Sequence, residues 1–378
     1  MRKILMVPLL GLAVLASCQS SKQEITINGE LAGFESDSVE ISYIAVTDLK
    51  NGHVHTDTLP LQDGRFTYKV KNDTVPIQIS LFDLSRKTSF RSLLKKIDVI
   101  AYPGQTLTVK GSVDDYVVEG SEFHAAYDVL RRELKPYNDK AIDTLSDLLE
   151  VYTSKNLPDT LPAFPMGMTE SAKKAHEIMF DYVRQHRDED LSVYLLMALN
   201  KPEFLDSLSD KAKNGGMSSL YRAMKKEADD RKAREEASNT LREGMEAPDF
   251  TLKDLQGKDL SLSSLRGKYV VLDFWGSWCG WCIKGFPEMK KYYEKYKDRM
   301  EILGIDCNDT EEKWRAAVEK NGLSWLHVRN ADDRDVTILY GIQGFPTKIV
   351  VDPEGKILRV VVGEDPAFYK YLDELFGK

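Results

Sequence analysis

The sequence predicts a multidomain chain with an N-terminal all-β, sandwich-like domain, a helical middle segment and a C-terminal α/β domain. Three observations support this division. Residues 24–119 contain short runs of alternating polar and apolar residues separated by turn residues. In 120–242 apolar residues recur at helical spacing, and in 243–378 strand patterns alternate with helical ones. A chain of 378 residues is long enough for two or three domains.

Residues 1–18 are predicted to be a targeting segment. A basic start precedes an apolar stretch that is too short to span a membrane. The segment ends in LASC, with Cys18 last, and resembles the bacterial lipoprotein signal, in which the cysteine is lipidated and becomes the mature N-terminus. Ordinary signal cleavage with an incidental Cys18 is the alternative. Residues 19–23 form a short tether, and Gln19 rather than Asp after the cysteine favours the outer membrane.

The remaining composition excludes some classes of protein. The formal net charge of −8 disfavours nucleic acid as a partner. No later stretch is long and apolar enough to span a membrane, so we expect the body of the chain to face an oxidising compartment from a lipid anchor.

The region 24–119 is predicted to form a small antiparallel sandwich or barrel. Its alternating runs are 24–30, 38–46, 65–70, 77–82, 98–102 and 106–110. This region resembles the β-domain that precedes a redox module in bacterial lipoproteins, and it carries no motif for chemistry.

The region 120–242 is predicted to be a helical connecting segment. Helical spacing is interrupted at 157–168, which contains three prolines. Residues 218–242 are highly charged, with opposite signs at helical spacing, and are predicted to form a solvated connecting helix.

The region 243–378 is predicted to form a central sheet with helices on both faces. The predicted elements are a strand pair in 247–262, strand 269–275, helix 280–296, strand 300–306, helix 310–320, strand 325–328, short helix 336–340, a hairpin in 347–362 and helix 366–376.

The motif CGWC, with Cys279 and Cys282, begins the helix that follows strand 269–275. Residues three apart in the first helical turn share a face, so the two sulfurs can reach disulfide distance. The helix N-terminus favours the thiolate of Cys279, which can attack a partner's disulfide before Cys282 resolves the mixed disulfide. A zinc half-site and two inert core thiols are the alternatives. Zinc would need two further ligands, and no second cysteine pair or nearby His-x-x-His is present.

Four motifs in order resemble those of the thioredoxin superfamily, and within it the membrane-anchored TlpA/ResA-like thiol–disulfide oxidoreductases. The motifs are EGMEAPDF at 243–250, DFWGSWCGWC at 273–282, GID at 304–306 and GFPT at 344–347. The resemblance implies a thioredoxin fold for 243–378 and redox activity for the dithiol.

Three further residues gain roles from this resemblance. Pro346 is expected to have a cis bond to Phe345 and to face the dithiol, which leaves the Phe345 backbone free to pair with an extended client peptide. An ordinary trans proline is the alternative. Asp273, in an apolar strand, should have a raised pKa because of desolvation. It matches the buried acid that shuttles a proton to the resolving Cys282, although a carboxylate that merely bonds to a loop is possible.

The surroundings of the dithiol both follow and depart from the family. Trp278 matches the family tryptophan and, with Trp281, is expected to form an apolar platform for clients. Relatives in the cytochrome-maturation branch carry Glu at the position of Gly285, and the lysine that neighbours thioredoxin's buried Asp has no counterpart around 302–304. Cys307 is expected to be a buried small residue, with a third redox thiol as the alternative.

The sequence therefore predicts a lipid-anchored, periplasm-facing thiol–disulfide oxidoreductase that needs no cofactor or metal. Its partners are expected to be envelope proteins with disulfides and an upstream thiol electron donor, and reduction or isomerisation is favoured over oxidation. A peroxiredoxin-like thiol peroxidase is one alternative, because APDF at 247–250 is shared with that family. A peroxidase should carry Thr where this chain has Gly276. A non-enzymatic envelope binding lipoprotein is the other alternative.

Overall fold

The structure, a computed structural model, describes residues 24–49, 52–71, 74–85, 95–154, 169–331 and 335–377. The chain divides into two compact units, the first ending at Lys226 and the second beginning at Glu227. The predicted targeting segment with Cys18 and the tether 19–23 lie outside the described residues. The predicted break at 157–168 lies outside them as well.

The first unit begins with a β-sandwich, as the sequence predicts. Its strands are β1 (Glu24–Leu31), β2 (Ser38–Ala45), β3 (His55–Pro60), β4 (Arg65–Lys71), β5 (Ile77–Asp83), β6 (Ile97–Ala101), β7 (Thr106–Gly111) and β8 (Tyr116–Glu119). They form two four-stranded sheets, in the orders β4-β1-β7-β8 and β3-β2-β5-β6. Alternate residues of both sheets, such as Ile27, Ile41 and Ile79, share one core.

Two details of this sandwich differ from the sequence-based expectation. The sequence analysis missed β3, all of whose residues are exposed or half-buried, and the short β8. An edge strand without a buried face shows little apolar alternation, so the pattern does not reveal it. The sandwich is also not wholly antiparallel, because β1 pairs with β7 in parallel.

A helical layer follows in the same unit. Its helices are α1 (Glu122–Ser154), α2 (Glu170–Gln185), α3 (Asp190–Ala198), a 3₁₀ turn (Pro202–Ser207) and α4 (Asp210–Lys213). Helix α5 (Ser218–Thr240) begins in this unit and ends in the second. Val46 and Ile100 of the sandwich region join Leu130 and Leu134 of α1 in one apolar cluster. The charged α5 buries only Leu220 and Met224, both in its first two turns.

The second unit has the thioredoxin-like architecture expected for the C-terminal region. Its strands are β9 (Thr251–Asp254), β10 (Asp259–Ser261), β11 (Tyr269–Trp275), β12 (Met300–Cys307), β13 (Leu326–Asn330), β14 (Thr347–Val351) and β15 (Ile357–Val362), in the sheet order β10-β9-β13-β12-β11-β14-β15. Its helices are α6 (Gly280–Tyr296), α7 (Glu311–Asn321), α8 (Val336–Leu339) and α9 (Pro366–Phe376). Helices α6, α7 and α9 contribute to the core on one face of the sheet.

The central strand β11 fixes what lies beneath α6. It is parallel to β12 and antiparallel to β14, and every residue from Val270 to Trp275 is buried. Asp273 is in register with Gly304 on one side and Lys348 on the other. On the far side of Gly304 the next strand contributes His327. One buried row across the sheet therefore contains a carboxyl, an amine and an imidazole.

Candidate functional site

The two cysteines of the CGWC motif form a disulfide at the start of α6. The Cα atoms of Cys279 and Cys282 are 5.3 Å apart, and both side chains are buried. Cys279 is the N-cap residue, and its sulfur accepts a hydrogen bond from the Cys282 N–H at 3.1 Å. After reduction the same N–H groups and the helix dipole favour a thiolate at Cys279.

The turn before the dithiol is held by two contacts with the segment after β12. The Asp309 carboxylate accepts hydrogen bonds from the Ser277 N–H (2.6 Å) and hydroxyl (2.7 Å). The indole N–H of Trp278 donates to the Cys307 carbonyl at 3.0 Å. A Cβ on Gly276 would lie 2.4 Å from the Trp278 Nε1 atom and 2.8 Å from the Cys307 carbonyl oxygen. Gly276 is therefore required for the Trp278 side chain to take this position.

Asp273 is buried, with 2% of its surface exposed. It alternates along β11 with Val271 and Trp275, which pack in one apolar cluster with the two cysteines, so its side chain lies on the same face of the sheet. Burial raises its pKa from 3.8 to about 6, with Lys348 opposing the shift and Glu364 adding to it. The predicted pKa shift and its cause, desolvation, are thus confirmed. The Oδ1 atom has no hydrogen-bond partner among the described residues.

The sequence analysis missed the charged neighbours of Asp273. The Lys348 ammonium nitrogen lies 4.0 Å from Asp273 Oδ1 and 2.7 Å from Glu364 Oε2. The Glu364 Oε1 atom accepts a hydrogen bond of 2.6 Å from the Tyr369 hydroxyl. A lysine next to the buried acid is therefore present, but it comes from β14 and not from the region 302–304. The available signal was a single lysine in the otherwise apolar strand TKIVV.

The Glu364 side chain packs against Gly285 of α6. A Cβ there would lie 2.3 Å from Glu364 Oε2, so the Glu364 carboxylate fills the space that a side chain at 285 would need. Gly285 is three residues after Cys282 on α6, whereas Glu364 follows β15. Relatives in the cytochrome-maturation branch carry Glu at the position of Gly285, so the sequence predicts no carboxylate here. In the structure the Glu364 carboxylate, from a segment distant in sequence, occupies this space.

Aromatic residues lie in front of the dithiol. Trp278 and Trp281 are 52% and 64% exposed. The Trp278 ring meets the Phe345 ring edge-on at a centroid distance of 5.2 Å. The Lys284 ammonium lies 4.8 Å from the centroid of the Trp281 ring, so this cation stacks on the tryptophan. The site thus presents an apolar surface beside the disulfide.

The Phe345–Pro346 peptide bond is cis, as expected from the family resemblance. The Pro346 carbonyl accepts a hydrogen bond of 2.7 Å from the Gly363 N–H. Among the described residues, neither the N–H nor the C=O of Phe345 makes a hydrogen bond within the chain. These two groups are consequently available to an extended peptide.

Two further groups lie behind the turn. Cys307 is fully buried, as expected, and burial raises the pKa of its thiol well above the usual range. Asp306 is also fully buried, and burial beside the Asp309 carboxylate raises its pKa to about 9. Asp306 is therefore protonated at neutral pH, which its place in the sequence did not reveal.

The described residues contain no group of three or more His, Cys, Asp or Glu side chains suited to a metal ion. In those same ranges, no helix has the length and apolarity needed to cross a bilayer.

Comparisons with known proteins match the C-terminal third of the chain. Residues 244–360 match the AhpC/TSA family. Thiol-disulfide oxidoreductase ResA of Bacillus thuringiensis is 38% identical over 122 residues, which are 32% of this chain and 70% of that protein. ResA of Bacillus subtilis is 36% identical over 125 residues, or 33% of this chain and 69% of that protein.

Solved structures also match about a third of the chain. The crystal structure of the thioredoxin domain of a thiol-disulfide oxidoreductase from Bacteroides vulgatus has 36% identity and a TM-score of 0.34, covering 36% of this chain and 99% of that domain. The solution structure of a thiol:disulfide interchange protein from Bacteroides sp. has 37% identity and a TM-score of 0.34, covering 36% of this chain and 92% of that one.

Replacing Asp273 by Asn is expected to remove a loss of stability that the wild type undergoes as the pH rises. The free energy of unfolding of the variant, relative to that of wild type, should therefore increase with pH. The raised pKa means that the folded protein binds more protons than the unfolded protein between pH 3.8 and about 6, so wild-type stability falls across this interval. Two pKa units correspond to about 3 kcal/mol. Urea unfolding of the oxidised protein should show the difference between the variant and wild type growing by about that amount from pH 4 to pH 8.

The exposed Asp259, whose side chain is 67% accessible, provides a control. Asp259→Asn should leave the pH dependence of unfolding close to that of wild type. An Asp273→Asn curve parallel to wild type at every pH would contradict the raised pKa.

Proposed function

The chain belongs to the TlpA/ResA-like thiol–disulfide oxidoreductases of the thioredoxin superfamily, and we propose that it exchanges disulfides with proteins of the bacterial cell envelope. The observation that carries this proposal is the Cys279–Cys282 disulfide at the N-terminus of α6, preceded by a strand that buries Asp273 and flanked in sequence by the exposed Trp278 and Trp281. The segment that matches the family, residues 244–360, contains the two cysteines, Asp273, Trp278 and Trp281.

In the proposed reaction, the Cys279 thiolate attacks a disulfide of the client. A bond forms between Cys279 and one client sulfur, and the other client sulfur leaves as a thiolate. Cys282 then loses its proton to the Asp273 carboxylate and attacks the Cys279 sulfur, which releases the second client thiolate. The client is reduced, the Cys279–Cys282 disulfide forms, and an upstream thiol donor must restore the dithiol.

Asp273 is suited to the proton transfer because its pKa of about 6 is near neutrality. An acid with this pKa is mostly ionised at pH 7, so it can accept the proton of Cys282, and it holds that proton more strongly than an exposed aspartate does. We propose a direct or water-mediated transfer between Asp273 and Cys282.

The client is proposed to bind across Trp278, Trp281 and the Phe345–Pro346 segment. Exposed tryptophans are typical anchors at binding surfaces. The unpaired backbone groups of Phe345 suit an extended peptide, whose own N–H and C=O would pair with them. Such a client would approach the sulfur of Cys279 from the apolar side.

Replacing Cys282 by Ser should trap the reaction halfway, because the mixed disulfide at Cys279 can no longer be resolved. We expect reduced wild-type protein, supplied with a thiol donor, to reduce a disulfide-bonded model protein such as insulin. The Cys282→Ser variant should instead accumulate a covalent complex that is seen on a non-reducing gel and is absent from a reducing gel. Mass spectrometry of the complex should identify Cys279 as the bonded residue.

The Cys279→Ser variant is the matched control, since it keeps Cys282 but lacks the attacking thiolate. It should form no complex. Tryptophan fluorescence should also change on trapping if the client covers Trp278 and Trp281, which are more than half exposed in the free protein. Equal trapping by the two variants would overturn the assignment of the nucleophile.

Anchoring through lipidated Cys18, with the C-terminal unit facing the periplasm, is the second part of the proposal. It is supported by the LASC sequence and by the apolar stretch before it. In a bacterial host, Cys18→Ser should abolish incorporation of labelled fatty acid and release the protein from the membrane fraction, while Cys307→Ser should do neither. Membrane release without loss of the label would contradict this anchoring.

A thiol peroxidase is the second candidate, favoured by the family match of residues 244–360. The position at which a peroxidase should have Thr is Gly276, and any Cβ there would collide with Trp278 and the Cys307 carbonyl. We therefore expect the reduced protein to consume hydrogen peroxide no faster than the Cys279→Ser variant. Rapid consumption that depends on Cys279 would favour the peroxidase.

A further inference from the structure

The Lys348 ammonium group lies between two carboxylates and is shared unequally. It is 2.7 Å from Glu364 Oε2 and 4.0 Å from Asp273 Oδ1. The Lys348 and Asp273 side chains are each 3% exposed, and that of Glu364 is 15% exposed. At such burial the attraction between an ammonium and a carboxylate is much stronger than at a surface, and it depends steeply on distance.

The Glu364 carboxylate is held in place from two directions. The Tyr369 hydroxyl donates to Oε1 at 2.6 Å, and Lys348 bonds to Oε2. The missing side chain of Gly285 leaves the space in which Oε2 lies, only 2.3 Å from where a Cβ would be. This arrangement fixes which of the two carboxylates receives the short contact.

The choice of partner matters for Asp273. An opposite charge in short contact with a buried carboxylate stabilises the ionised form and commonly lowers its pKa by about 1–3 units. If Lys348 paired closely with Asp273, the acid would hold its proton too weakly to return it near neutral pH. Glu364 satisfies Lys348 instead, and the pKa of Asp273 remains raised, to about 6.

We propose that Glu364 is a positioning residue of the dithiol site, which binds the Lys348 ammonium over Gly285 and so keeps it from forming a short ion pair with Asp273. This rests on the proposed role of Asp273 in proton transfer. Glu364 does not touch the reacting sulfurs in this scheme; it acts through Lys348. The consequence is that the proton affinity of the buried acid is set by a residue from the loop between β15 and α9.

Other titratable groups lie around Asp273 and must be considered. Tyr369 on α9 and Cys307 on β12 interact electrostatically with Asp273, although Cys307 packs on the opposite face of the sheet. His327 on β13 lies in the same row beyond Gly304, and Cys279 and Cys282 on α6 pack with Val271 and Trp275 of β11. In the oxidised protein the two cysteines of the disulfide do not titrate. Burial keeps Tyr369, Cys307 and His327 neutral near pH 6, with the pKa of His327 lowered to about 3. Lys348 and Glu364 are therefore the neighbouring charges that a test should vary.

The test is a titration of Asp273 in the oxidised full chain, followed by NMR of isotope-labelled aspartate carboxyl groups and assigned with Asp273→Asn. Glu364→Gln should lower the midpoint by about one pH unit, since Lys348 is then free to pair with Asp273. Lys348→Met should raise the midpoint, because it removes the positive charge that opposes the raised pKa of Asp273. The double variant should lie between wild type and Lys348→Met.

Three further comparisons separate positioning from a general effect of charge or packing. In the Lys348→Met background, Glu364→Gln should shift the midpoint by less than half as much as in wild type, because its route through Lys348 is absent. Gly285→Ala keeps every charge but displaces the Glu364 carboxylate, so it should shift the midpoint downward as Glu364→Gln does. Glu288 lines one surface cleft together with Glu364, but the Lys348 ammonium bonds to Glu364 and not to Glu288. Glu288→Gln should therefore cause no shift of the midpoint.

The double variant also keeps the test available if Lys348→Met leaves the Glu364 carboxylate without its cation and fails to fold. A double-variant midpoint above that of wild type, with Glu364→Gln below it, supports the proposal. Equal midpoints in wild type and Glu364→Gln overturn it. So does an equal effect of Glu364→Gln with and without Lys348.

The pH dependence of mixed-disulfide resolution distinguishes this proposal from the proposed function. If resolution requires Asp273 but the midpoint does not respond to Glu364, the positioning role fails and the function stands. If the midpoint responds as expected but resolution is unchanged in Asp273→Asn, the positioning role stands and the proton-transfer role of Asp273 fails.

Discussion

The burial of the Asp273 carboxyl in β11, the strand that leads into the dithiol, is the constraint on which the remaining site depends. A carboxylate in the centre of a sheet is costly unless a positive charge or hydrogen bonds compensate it. Here the buried charge is only partly compensated. The antiparallel register with β14 brings Lys348 alongside Asp273, but its ammonium nitrogen is 4.0 Å from Oδ1, which accepts no hydrogen bond from a described residue. The pKa of Asp273 is therefore about 6. A close ion pair with Lys348 would lower this pKa, and the loss of Lys348 would raise it further.

Three glycines of the second unit each leave room for the side chain of another residue. Gly276 admits the Trp278 indole, Gly285 admits the Glu364 carboxylate, and Gly304 admits the His327 ring, whose Nδ1 atom lies 2.7 Å from the position of a Cβ. None of the three has the positive φ angle that would by itself require glycine. Their small size is therefore explained by close packing and not by backbone conformation.

The sequence predicted those parts of the site that are local in the chain. Cys279 and Cys282 share a helical turn, Asp273 interrupts an apolar strand, and Phe345–Pro346 belongs to a short motif, so each could be identified from its neighbours. Lys348 and Glu364 reach Asp273 only through strand pairing and the packing of a loop on α6, and one sequence has no pattern that encodes those contacts. The same limit explains the missed edge strand β3, which buries none of its residues and therefore lacks an apolar period.

The residues proposed to set the acidity of Asp273 and the segment proposed to bind the client both adjoin the strand pair β14 and β15. Pro346 precedes β14 directly, Lys348 lies two residues further, and the Pro346 carbonyl is bonded to the N–H of Gly363, the neighbour of Glu364. A client bound as proposed, over Trp278 and Phe345, would exclude water from the sulfurs and so strengthen the interactions among the buried charges. Because the binding segment and the charged pair are joined by a hydrogen bond of 2.7 Å, a movement of the Phe345–Pro346 loop on client binding would be transmitted to the residues that set the acidity of Asp273. In the proposed scheme, client capture and proton transfer are therefore coupled through the Pro346–Gly363 backbone hydrogen bond and the Lys348–Glu364 ion pair.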